Sequence, residues 1–390
     1  MLVLSVTQIL SWGILIYPPV LLMPPMAAAH GWSLAFGMAG FSLALVTSGL
    51  LSPTVGGLID RFGGNAVMAG GALSGALGMV LLPLADAVPA YFSCWLLLGA
   101  AMAATLYDPA FATLTRIFGA TARRQITFVT FAGGFASTVG WPATHLLLAN
   151  FGWRGTCLAF AAVLALLVAP LHAFALPRTT SPVPPPVPAG STETPTSALP
   201  LPQGRPFLLL AAAFAIHAFI LSGGTSNLLS LLERGGVAPA TAVTIGAMFG
   251  PAQVASRLID FLFGARTNPL WIARAAVTLI AMALALLALA GTSFAVAALF
   301  SIAFGAANGV MTIARGALPL LMFGPAGYGR VIGRIARPAL FVQAVAPFAV
   351  ALAIGQFADS SVLLAGAAAA AVGLACLLGL RPSWKTGRAA

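Results

Sequence analysis

The sequence predicts an all-α membrane protein of twelve transmembrane helices in two pseudo-symmetric six-helix bundles. Three observations carry that expectation: extreme apolar composition, twelve long apolar runs, and an internal repeat. Of 390 residues, 60% are hydrophobic and 6% charged, and the mean hydropathy is +1.02. Soluble domains carry about 25% charge. A soluble enzyme of this length is excluded, because too little polar surface exists to cover it. A membrane barrel is excluded by the runs themselves, which are long and rich in Ala, Leu and Gly, not ten-residue alternating segments.

Reading apolar runs against breakers places spans 1 to 6 over 3–28, 34–58, 65–85, 90–117, 126–149 and 155–176. Spans 7 to 12 fall over 207–231, 240–264, 271–291, 294–322, 336–358 and 361–380. Each is long enough to cross about 30 Å of hydrocarbon. Span 1 opens without a basic leader or a small-residue cleavage site, so it reads as a retained helix. Residues 177–206 hold ten prolines with Ser, Thr and Gly and no apolar periodicity, the composition of a solvated linker. The expected division is therefore 1–176, a linker over 177–206, and 207–390.

The basic residues orient the chain. Of 18, fourteen fall on one side of the twelve-span arrangement: Arg61, Arg116, Arg123, Arg124, Arg178, Arg205, Arg266, Arg274, Arg330, Arg334, Arg337, Arg381, Lys385 and Arg388. Arg154 and Arg234 fall on the other. That asymmetry puts both termini and the linker in the cytoplasm, as in a bacterial inner-membrane protein. It also accounts for the net charge of +11 without nucleic acid. The repeat is visible in Pro53–Asp60 (P-T-V-G-G-L-I-D) against Pro251–Asp260 (P-A-Q-V-A-S-R-L-I-D). Phe118-Gly119 recurs as Phe323-Gly324, and Pro142 as Pro347.

Residues 56–63, G-G-L-I-D-R-F-G, resemble the G-x-L-x-D-R-x-G loop motif of the major facilitator superfamily, here between spans 2 and 3. Phe151-Gly152-Trp153-Arg154 is similar to another of its turns. One departure is Gly64-Asn65, where the family motif continues with basic residues. The resemblance covers essentially the whole chain. It implies secondary active transport by rocking of two halves about a midplane site, a mechanism for which this superfamily, with its nested repeats, is a standard example. Gln8-Ile-Leu-Ser-Trp-Gly with Tyr17-Pro18, the Gly31-Trp32-Ser33 turn and an arginine in span 8 resemble its monocarboxylate and oxalate–formate branch.

No nucleotide, hydrolase or zinc pattern is present, so no cofactor, metal or enzymatic activity is expected. Cys94, Cys157 and Cys376 stand singly in apolar runs and read as packing residues. Gly71-x-x-x-Gly75 in span 3 reads as a helix-packing motif. The scattered methionines read as gap fillers.

Charges within spans are costly and mark function by default. Asp108, in T-L-Y-D-P-A-F, is followed by Pro109, which removes the hydrogen bond to the Thr105 carbonyl and kinks span 4. It is the expected proton-coupling carboxylate, with His217 in span 7 a second candidate relay. Arg315 in span 10 shares a helix face with Asn308, Met311, Thr312 and Met322. Its guanidinium suits a carboxylate cargo. Arg257, Asn308, Tyr17 and Gln343 join it as expected substrate contacts, with Gln8 and Trp12 as further cavity candidates. Asp60, Arg61 and Asp260 are expected at a cytoplasmic gate, because Leu-Ile-Asp ends both span 2 and span 8. Gly223-Gly224, followed by Thr225, Ser226 and Asn227, is expected to break span 7 as an outer hinge.

Two functions compete. One is a proton-coupled symporter of a small organic anion, in which ionised Asp108 occupies Arg315 and protonation releases it to cargo. The other is a proton-driven exporter of amphipathic drugs or metabolites, suited to the Ala- and Phe-rich interior. The expected partners are substrate, protons and the lipid bilayer, and the protein is expected to be a monomer.

Overall fold

The computed structural model describes residues 1–178, 202, 204–264 and 267–380. Most of the proline-rich stretch over 177–206 lies outside them, as do Arg266, Arg381, Lys385 and Arg388. Among the described residues every regular element is a helix.

Ten runs are long and apolar enough to cross a membrane. Two breaks resolve them into twelve spans. The run Arg123–Ala175 has 53 residues and is broken at Gly152, whose φ of 63° and ψ of −179° end span 5 and begin span 6. Span 8 escapes that count because Met248 divides it into Pro239–Ala247 and Phe249–Phe263. Ten, with one added at each break, gives twelve, as the sequence predicts.

Several spans are interrupted for local reasons. Span 1 is Leu2–Leu15 and Pro19–His30, parted where Pro18 and Pro19 remove two backbone donors. Span 2, Leu34–Phe62, starts at Ser33, whose hydroxyl accepts from the Phe36 amide at 3.1 Å. Span 4 is Val88–Thr105 and Tyr107–Phe118, with Leu106 extended between them (φ −82°, ψ −160°). The backbone just ahead of Asp108-Pro109 is thus pushed out of helix, as the proline predicts. Gly119 and Gly324, which follow Phe118 and Phe323, both take positive φ, so the repeat read from the sequence is also a repeat in backbone geometry.

Small residues let span 3, Gly64–Leu81, lie close on span 4. A Cβ at Gly75 would stand 3.0 Å from that of Ala101, and at Gly71 there is no room for one against Ala104. Such approach strengthens dispersion contacts where lipid supplies no hydrophobic drive between helices. The expected packing role of this motif holds. All three cysteines are free thiols, with Cys94 and Cys157 buried.

The described chain gathers into two compact units. The first comprises Met1–Ala122, Gly140–Gln203 and Phe323–Arg334; the second comprises Arg123–Val139, Gly204–Met322 and Ile335–Ala390. In the first, the beginning of span 11 lies on the end of span 2, where no Cβ fits between Gly56 and the Gly329 carbonyl or between Gly333 and that of Ser52. In the second, the beginning of span 5 lies on span 8, with the rings of Phe131 and Phe261 stacked at 6.4 Å.

Two expectations are corrected. Span 11, Tyr328–Gln356, begins eight residues before the expected 336, so Arg330 and Arg334 are helical and not in a loop. The reason is a remote cap: the Asp60 carboxylate accepts from the amides of Gly329 and Arg330, each at 2.8 Å. Span 7, Arg205–Arg234, is one uninterrupted helix and has no break at Gly223-Gly224. Those glycines serve close approach: a Cβ at Gly223 would lie 2.5 Å from Val350 of span 11, and one at Gly224 3.2 Å from Phe304 of span 10. Thr225 returns its hydroxyl to the Leu221 carbonyl at 2.7 Å, and the Asn227 amide bonds the Gly223 carbonyl at 2.9 Å.

Packing and hinge roles for Gly223 have different consequences. Gly223→Ala should destabilise the folded protein by about 1–3 kcal/mol through overpacking. Gly250→Ala is the control, because nothing lies within 4 Å of a Cβ there. Thermal denaturation of the two variants checks this, with a lowered midpoint expected in Gly223→Ala alone.

Candidate functional site

The first unit holds Asp108 at a built kink. Pro109 has no N–H, which leaves the Thr105 carbonyl without its helical donor. A buried carbonyl left unsatisfied costs about 1–3 kcal/mol. Gln8, fully buried in span 1, fills the gap: its amide nitrogen donates to Thr105 O at 2.7 Å. The amide oxygen of Gln8 accepts from Trp12 Nε1 at 3.1 Å. Trp12 packs on Tyr107 at 4.7 Å, and Tyr107 stacks on Phe111 at 5.5 Å. Gln8 and Trp12, expected at a cavity wall, are instead committed to the kink. Asp108 lines a narrow cavity of about 10 Å³, room for about one water molecule. Ser52, Gly56, Pro109, Gly329 and Gly333 contribute to its wall.

The second unit holds a run of polar side chains across spans 7, 8 and 10. His217 Nε2 lies 3.3 Å from Oδ1 of Asn308. Thr312 donates its hydroxyl to the Asn308 carbonyl at 2.8 Å and accepts from Arg257 Nη2 at 3.3 Å. Arg257 is buried and also donates to the Thr130 carbonyl of span 5 at 3.0 Å and, more weakly, to Gly309 O at 3.4 Å. Arg315, half-buried, is near enough for its charge to act on His217. The structure thus brings together four of the expected residues, His217, Asn308, Arg257 and Arg315. The donors of Arg257 to the Thr130 and Gly309 carbonyls and the Thr312 hydroxyl brace three spans.

The two Leu-Ile-Asp ends behave as counterparts. Asp60 takes the first amides of span 11, and Arg116 donates to its carbonyl. Asp260, buried at the end of span 8, has Thr127 beside it and stands in the field of Arg123. Arg123 in turn donates to Gly264 O at 2.8 Å. Subtracting the repeat offset of 205 from Gly329 gives position 124, so each aspartate meets the same element of the repeat. Arg61 is not brought to this contact; it is exposed and lies over the Phe62 ring at 4.9 Å.

The remaining candidates sit elsewhere. Tyr17 is half-buried, 6.3 Å from the Trp141 ring. Gln343 enters through its backbone: its carbonyl, freed by Pro347, accepts from Ser222 at 2.9 Å. Sequence reasoning missed Ser222, Thr130, Thr127 and Arg123. Pro109 did identify the Thr105 carbonyl as needing a donor, but not which side chain would supply it.

A bracing role for Arg257 is testable. Arg257→Lys replaces a planar fork with a single ammonium that cannot hold Thr130 and Thr312 in the same geometry. Stability should fall by about 1–3 kcal/mol, read by thermal denaturation without ligand. An unchanged midpoint would return Arg257 to the role of a substrate contact.

Known proteins share this architecture. The model of the Major Facilitator Superfamily matches residues 1–336. Human and mouse proteins called Monocarboxylate transporter 11 are each 34% identical, over 190 and 192 residues, which is 47% of this chain. The match covers 37% of the human protein and 39% of the mouse one, well under half of either. Among solved structures, the human organic anion transporter MFSD10 (TETRAN) has a TM-score of 0.73 at 16% identity, covering 96% of this chain and 97% of that one. The E. coli fucose:proton symporter FucP has a TM-score of 0.70 at 14% identity, covering 97% of each. At these identities the structural likeness shows the fold alone. The family model spans most of the chain, through span 10 and the first turns of span 11, and the chain belongs to the major facilitator superfamily of membrane transporters.

Proposed function

We propose that this transporter carries a small organic anion, monocarboxylate-like, together with a proton, by alternating access between its 1–176 and 207–390 halves. The observation that carries the reading is the polar run His217–Asn308–Thr312–Arg257, with Arg315 beside it, among mostly apolar spans. Basic and hydrogen-bonding groups at membrane depth suit an anion and oppose a cation. The name of the 34%-identical relatives, Monocarboxylate transporter 11, supports the same class. The organic anion and proton symport named for the structural neighbours agree with it. Arg315 and Asn308 take the carboxylate, with Tyr17 and Gln343 as further contacts. Asp108 takes the proton, and His217 relays it. Asp60, with Asp260 as its counterpart, latches the basic ends of the spans. By the positive-inside asymmetry those ends are cytoplasmic, in a bacterial inner membrane.

Symport requires that protonation and substrate binding favour each other. Binding of pyruvate, used as the probe, should therefore tighten as pH falls through about 8 to 5, a range bracketing shifted carboxylates. Asp108→Asn should bind pyruvate with no pH dependence, and Arg315→Ala should lose binding at every pH. Retention of the full parental pH profile by Asp108→Asn removes Asp108 from the coupling step. Failure of pyruvate and related carboxylates to bind, with cationic amphiphiles binding in the same titration, favours the exporter reading.

A latch acts on rate more than on affinity. Asp60→Asn keeps one acceptor, now neutral, for the two amides of Gly329 and Arg330 and sets an NH2 donor against the other. Pyruvate flux in proteoliposomes should change, while equilibrium affinity stays within about threefold, under 1 kcal/mol. Loss of binding in a folded Asp60→Asn protein would place Asp60 in the substrate site instead.

A further inference from the structure

We propose that Gln8 is a positioning residue for Asp108: it holds open the kink in span 4 that presents this carboxylate to its cavity. The proposal rests on the reading of Asp108 as the proton site, but its geometry stands apart from any substrate. The chain of contacts is short. Pro109 removes the donor that would close the helix onto Thr105 O. Gln8 supplies a replacement from span 1 at 2.7 Å, with no exposed surface of its own. Leu106 between the two half-helices is extended, and Asp108 stands in the first turn after it. That turn lines the cavity with Asp108 and Pro109 together.

Gln8 is itself held. Its amide oxygen accepts from Trp12, and Trp12 lies against Tyr107, the neighbour of Asp108. Span 1 thus grips the kink on both sides, by a hydrogen bond before Leu106 and a ring contact after it. A glutamine suits this position because a single side chain both donates and accepts. Leucine would fill the same volume and do neither. Without the amide, the Thr105 carbonyl is buried without a donor, a state the segment escapes by changing its bend. Asp108, two residues past the hinge, moves with it.

The same device occurs in the second unit. Pro347 frees the Gln343 carbonyl, and Ser222 of span 7 donates to it at 2.9 Å. Spans 1 and 7 are repeat counterparts, so in each half the first span repairs a proline gap in a later one. The Gln8 repair differs in lying beside an ionisable group.

The test is a cycle between Gln8→Leu and Pro109→Ala. Alanine at 109 restores an amide that can close on Thr105 O, which makes the Gln8 donor dispensable. The readout is the rate at which the thiol introduced by Asp108→Cys reacts with N-ethylmaleimide, measured without substrate. Gln8→Leu should change that rate by about tenfold, the factor that loss of one buried hydrogen bond supplies. In the Pro109→Ala background the same substitution should change it less than about threefold. An equal change in both backgrounds, or none in the first, overturns the proposal. Pyruvate flux against pH is measured in parallel on the parent Asp108 chain. There Gln8→Leu should shift the pH profile, and Gln8→Leu with Pro109→Ala should return towards the profile of Pro109→Ala alone. A positive labelling cycle with no pH-dependent flux in the parent protein would sustain the positioning role and remove the proton-site reading. A negative cycle with intact pH-dependent flux would do the reverse.

Discussion

Every backbone group inside a bilayer must find a partner within the protein, and this constraint governs the whole chain. The sequence contains 28 prolines, several of them inside spans. Each of those within a span removes a donor and leaves a carbonyl one turn earlier in need of one. Gln8 meets that need at Thr105, and Ser222 meets it at Gln343. The helix starts raise the complementary problem of unpaired amides, which Asp60 meets for Gly329 and Arg330. In each case the solution comes from a different span. The irregular points of the backbone are therefore also the points where spans are fastened together.

That pattern accounts for the exchange of segments between the compact units. The start of span 11 is grouped with the first unit because Asp60, Gly56 and Ser52 hold its first two turns. The start of span 5 is grouped with the second because Asp260, Phe261 and Arg257 meet Thr127, Phe131 and Thr130. The two arrangements are related by the sequence repeat but differ in chemistry. Asp60 accepts two backbone amides, so its contact depends on the helix being formed. Asp260 meets Thr127 and the field of an arginine, a contact that side-chain rotation alone can release. In the first unit, Gly56 and Gly329 belong to the wall of the Asp108 cavity as well as to the contact that Asp60 makes with span 11. Separating spans 2 and 11 there would open the cavity at the same moment.

The fold was legible because its signals are local: long apolar runs, Gly152 and Pro109 as breakers, and arginines clustered on one side. All twelve spans, and the kink before Asp108, follow from such features. The start of span 11 was not legible, since its cap lies 269 positions away in Asp60. Gly223-Gly224 misled for a related reason. Glycine pairs mark both hinges and close helix contacts, and only the neighbour, here Val350, distinguishes them. The same limit applied to the site. His217, Asn308 and Arg257 could be recognised as unusual at membrane depth, and Thr312 placed on the helix face of Asn308, but not that Thr312 joins Asn308 to Arg257. A threonine in an apolar helix carries no such signal, because its hydroxyl can return to its own backbone.

The two arginines at membrane depth sit in different surroundings. Arg257 is buried and gives its donors to the Thr130 and Gly309 carbonyls and the Thr312 hydroxyl. Carbonyl dipoles from two spans face its charge, and the cation ties spans 5, 8 and 10 together. An arginine so engaged would lose those bonds in turning to a ligand. Arg315 sits about two turns beyond Asn308 and one beyond Thr312 on span 10, half-buried, with its charge felt at His217. Its position places a guanidinium at the end of a polar run that Arg257 anchors from the other side. A carboxylate entering there would meet a cation whose surroundings are already fixed by the brace, so less ordering would remain to be done on binding.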